Sequence, residues 1–86
     1  MTSPEQIRTN LTVAIAELTA VRGQLTSAVE TIGGALARVR ESFEGSTQRE
    51  YVWAHECLVQ GHDEILMAND NLAGSINGIE TLMARL

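Results

Sequence analysis

The chain has no lysine, one cysteine, one proline and only three aromatic residues, Phe43, Tyr51 and Trp53. Each scarcity removes a class of function. Cys57 alone cannot close an internal disulfide, so nothing points to a stapled extracellular scaffold. With all six basic residues arginine, against eleven carboxylates, the formal net charge is −5. The chain therefore lacks a basic patch for nucleic acid or an anionic membrane surface. Beyond Pro4 no proline interrupts a helix. No run of about 18 apolar residues is present, so no membrane span is expected. The first residues carry neither a basic segment nor an apolar core, and the expected location is the cytoplasm, or outside the cell without a cleavable leader.

What the chain does have is two apolar ladders. Ile7, Leu11, Ala14, Leu18, Val21, Leu25, Ala28, Ile32, Ala35 and Val39 recur at alternating steps of four and three residues. Tyr51, His55, Leu58, His62, Ile65, Asn69, Leu72, Ile76, Ile79, Met83 and Leu86 repeat the rhythm. Such spacing marks helices packed along a seam. Ser3, Pro4 and Gln6 read as an N-cap, a proline in the first turn and the far member of a capping box. The first helix is expected over about 4–44, the turn over about 45–47 with Gly45 in the left-handed position, and the second helix over about 48–86. Thr47 and Glu50 form a second box, T-x-x-E. A connection this short makes the helices antiparallel neighbours in a single hairpin domain spanning 1–86, a rod about 60 Å long.

A fold-back centred on Gly45 sets Val39 against Tyr51, Ala35 against His55, Ile32 against Leu58, Ala28 against His62, Leu25 against Ile65 and Val21 against Asn69. His55, His62 and Asn69 are then polar seam residues that set register at some cost in stability. Next to the seam runs a second stripe: Ile15, Val29, Leu36 and Phe43 on the first helix, Val52, Val59, Leu66 and Ala73 on the second. Two helices cannot hide both stripes, so the all-α hairpin is expected to assemble as a dimer into a four-helix bundle. The expected partner interface comprises Ile15, Val29, Leu36, Phe43, Val52, Trp53, Val59 and Leu66. Gly33-Gly34 and Gly61 weaken their helices by about 1 kcal/mol each relative to alanine, and read as a bend, a close helix approach or a hinge.

Catalytic and metal chemistry find little support. His55 and His62 stand two turns apart, about 10 Å along a helix, whereas ligands on one helix share an ion at three or four residues. A nucleophilic role for Cys57 would need a facing base and an oxyanion site, which a smooth rod does not offer. The expectation is a protein that is not an enzyme, with no cofactor and no metal.

Two long helices in fewer than about 100 residues, with Trp53 near the turn, resemble the WXG100 family of ESAT-6-like proteins associated with type VII secretion. The family's Trp-x-Gly is replaced here by Trp53-Ala54-His55, with Gly45 ahead of it. The family's Tyr-x-x-x-Asp/Glu signal has no counterpart, since Tyr51 is followed four residues on by His55. The chain also looks like short actinobacterial hairpins that begin near Pro4-Glu5-Gln6-Ile7-Arg8 and turn at Gly45-Ser46. The WXG100 resemblance implies a non-enzymatic interaction module whose partner is itself, as a homodimer, or a related helical protein, acting as a small secretion-associated partner or chaperone-like escort. Two other readings stand beside it: a cytosolic adaptor or antitoxin-like helical protein, and a dimeric metal or ligand carrier using His55 and His62.

Overall fold

The computed structural model describes residues 2–86. Helix α1 spans Pro4–Phe43 and helix α2 spans Arg49–Ala84, packed antiparallel as an elongated hairpin. Ser3 starts α1 as the sequence predicts: its hydroxyl accepts from the Gln6 N–H at 3.1 Å, and the Gln6 side chain accepts from the Ser3 N–H at 3.0 Å. Two of the otherwise unpaired N–H groups at the helix start are thereby satisfied. Gly45, at φ 77°, takes the left-handed conformation that ends α1. The Ser46 N–H closes the turn on the Phe43 carbonyl at 2.8 Å.

The turn differs from expectation in two respects. It runs over Glu44–Gln48, longer than 45–47, because α1 stops at Phe43 and α2 starts at Arg49. The T-x-x-E box of Thr47 and Glu50 does not form: Gln48 is the N-cap without a side-chain bond, and its N–H donates to the Ser46 hydroxyl at 3.1 Å. The fold-back is accordingly centred nearer Ser46 than Gly45, and the pairing across the helices shifts. Tyr51 stacks on Phe43 at 5.6 Å. His55 meets Arg40 rather than Ala35, and Asn69 meets Arg22 and Thr26 rather than Val21.

The seam of α2 holds to its ladder, with every member from Tyr51 to Met83 buried or half-buried and Leu86 exposed beyond the helix end. On α1 the ladder drifts. Val21 and Ala35 are exposed, while Arg22 and Leu36 take their places in the half-buried stripe with Ile15, Val29 and Gly33. The drift is partial: the other eight ladder members, Val39 at the far end included, stay half-buried, and a straight helix, rotating about 20° per heptad against a strict seven-residue repeat, brings the second row toward the seam beside them.

The rod measures 62 × 18 × 15 Å with a radius of gyration of 19.3 Å, against about 12 Å for a compact chain of this length. Ile76, at 9 % exposure, is the single buried side chain among the described residues. The helices run unbroken through Gly33-Gly34 and Gly61. A Cβ at any of the three meets nothing within 4 Å, so none is required for close approach of the two helices.

Candidate functional site

The feature that stands out is a face of the hairpin. Residues 15, 22, 29, 36 and 43 of α1 and 52, 59, 66 and 73 of α2 follow at seven-residue steps, and each row runs along the same flank of its helix. Three side-chain bonds tie the α1 flank to the seam of α2, from which the α2 row stands one position on. Arg22 Nε–H donates to Asn69 Oδ1 at 2.8 Å, Asn69 Nδ2–H donates to Thr26 Oγ1 at 3.3 Å, and Arg40 Nε–H donates to His55 Nε2 at 3.0 Å. Thr26 also donates its hydroxyl proton to the Arg22 carbonyl at 3.0 Å, closing a cycle of polar groups midway along the rod.

The expected interface residues divide between two environments. Ile15, Val29, Leu36 and Val59 are half-buried, their inner sides against the opposite helix. Phe43, Val52 and Leu66 stay exposed at 45, 42 and 42 %. Phe43 stacks on Tyr51, and Tyr51 in turn lies 5.9 Å from the His55 ring. Trp53 stands apart from them. It is 68 % exposed and lines a shallow groove with Thr47, Arg49, Val52 and Glu56 on the outer side of the tip. The residue that sequence reasoning passed over is Arg22, which continues the second stripe between Ile15 and Val29. Its charge disqualified it from an apolar pattern, and only its seven-residue spacing marked the position.

The three polar seam residues occupy the seam without sharing one role. Asn69 joins both helices, His55 joins them through Arg40, and His62 pairs only with its neighbour Asp63, Nδ1 to Oδ1, at 3.2 Å. Among the described residues no three His, Cys, Asp or Glu side chains are grouped to hold a metal ion. Cys57 is a free, exposed thiol. Among the described residues no helix is long and apolar enough to cross a membrane. Chemically, the face can do one thing that its geometry supports directly, which is to cover and be covered by another apolar surface. Comparison with protein families, with curated proteins and with solved structures returns no match to this chain.

Proposed function

We propose that the protein is a non-enzymatic interaction module whose hairpin pairs through the face of Ile15, Val29, Leu36, Val52, Val59 and Leu66, so that two hairpins make a four-helix bundle. The observation that carries this reading is exposed area. A compact folded monomer of 9.3 kDa exposes about 5,000 Å². The hairpin exposes 6431 Å². The surplus, about 1,400 Å², is of the size one chain contributes to an obligate interface, where pairs bury roughly 2,000 Å² or more in total. With a single buried side chain among the described residues, the seam alone sets little apolar burial against the entropy of ordering two long helices.

The two-helix architecture is consistent with a WXG100-like fold. That resemblance adds a role as a small partner or chaperone-like escort for a type VII secretion substrate. An adaptor role draws support from Trp53, which is 68 % exposed and keeps an aromatic anchor at the tip for a further contact.

The test is Leu66→Gln, a change at a side chain that a lone hairpin already leaves 42 % exposed. Pairing through this face makes the substitution cost about 1 to 2 kcal/mol per chain, with a fall in melting temperature of several degrees and weaker self-association. A shift within about 0.5 kcal/mol, the usual range for a solvent-facing position, would contradict the reading.

A further inference from the structure

The face is electrically polarised across its width. Its α1 margin carries Arg8 and Arg22, both on the seven-residue row, and Arg40, one turn beyond Leu36. Its α2 margin carries Glu56, Asp63 and Asp70, each one turn beyond an apolar member of the stripe, Val52, Val59 and Leu66 in that order; Glu80 continues the row itself. Glu5 and Arg49, at the ends, are the exceptions. None of these arginines is paired with a carboxylate within the chain: among the described residues the one ion pair is His62 with Asp63. Arg22 is half-buried and donates a single N–H, to Asn69. A guanidinium has five N–H donors, so the other four need acceptors once a partner excludes water from this face.

From this we infer that the occupant of the face is a second copy of the chain, docked with both hairpin tips at the same end and with Arg22 of each copy paired to Asp70 of the other. The inference rests on the pairing proposed above and adds its geometry. A two-fold interface is self-complementary, and two arrangements bring this face onto itself. With the two-fold axis along the rod, α1 lies over α2 of the second copy at equal height. The bonds within one chain place the heights to within a helical turn: Arg22 reaches Asn69, beside Asp70, and Arg40 reaches His55, beside Glu56. Arginines then face carboxylates at mid-rod and near the tip, and the α1 stripe meets the apolar α2 stripe. With the axis across the rod, α1 lies over α1 and α2 over α2, reversed. With that axis at the level of Arg22, Arg22 meets Arg22 and Asp70, near the same level, meets Asp70, while the one opposite-charge approach, Arg40 to Glu5, lies at the ends of the rod. Like charges set opposite each other in a desolvating interface oppose association, so the charge pattern selects the first arrangement.

Two measurements on the full chain test this. In a Cys57→Ser background, a spin label at Thr47→Cys reports the distance between tips. Tips together give a separation within about 25 Å, two helix diameters. Tips apart give a separation near the 62 Å length of the rod. Independently, Arg22→Glu and Asp70→Arg should each weaken self-association about tenfold, since every dimer loses two partly exposed contacts. An equimolar mixture of the two variants should restore the affinity. In the mixed dimer the carboxylate introduced in one chain faces the guanidinium introduced in the other, and the second contact keeps its native Arg22 and Asp70. A long tip separation, or tighter association of Arg22→Glu through relief of an arginine pair, overturns the arrangement while leaving pairing itself intact. A chain that stays monomeric at every concentration overturns both.

Discussion

At the scale of single residues, Asn69 ties the hairpin together most tightly. Its amide accepts from Arg22 and donates to Thr26, linking α2 to two turns of α1. Asn69→Ala removes both bonds and leaves the half-buried Arg22 without its acceptor. The expected cost is about 1 to 2 kcal/mol in urea unfolding. Gly45 holds the fold-back at φ 77°, a conformation open to glycine and strained for alanine. Gly45→Ala should therefore cost about 1 kcal/mol. A neutral or stabilising result there would mean that the turn adopts another conformation. Neither residue touches the exposed members of the stripe, so both variants should leave the stoichiometry of the assembly unchanged.

At the scale of elements, α1 and α2 show how far an apolar pattern determines contact. The two helices, their antiparallel order and the Ser3–Gln6 box were legible, because capping chemistry and periodicity act locally. The drift of α1 was not. A row of Val21 and Ala35 looks as good as a row of Arg22 and Leu36 until the rotation of a straight helix is followed over five heptads. The turn failed to read for a related reason: Thr47 and Glu50 have the spacing of a capping box, yet the Ser46 hydroxyl takes the Gln48 N–H and α2 starts at Arg49. That shift of a residue or two displaced the whole register. Of the second stripe, the sequence marked the apolar members, and Arg22 was hidden by its charge. The glycines read as a weak point, and the helix passes straight through them. Gly34 is exposed with open space where a Cβ would stand, so Gly34→Ala should stabilise the protein by about 1 kcal/mol by thermal unfolding. Destabilisation instead would reveal a neighbour against Gly34 in the assembled state.

At the scale of the whole molecule, the hairpin is a rod with a seam and no enclosed core. Its second apolar stripe is half-covered by its own helices, and Arg22, set in that stripe, still has donors to satisfy. Under the proposed pairing these are the features of a subunit. They explain why a chain with 44 % hydrophobic residues buries a single one among those described. Pairing through the stripe would supply the missing core and make folding and association one event, with stability that rises with protein concentration.

The most direct test is the mass of the purified protein in solution by sedimentation equilibrium across a concentration series at neutral pH. Pairing gives a species at twice the 9.3 kDa chain mass that persists as the sample is diluted to micromolar levels. A 9.3 kDa monomer that unfolds cooperatively at the same temperature at every concentration would show that the hairpin stands alone, and would contradict the account.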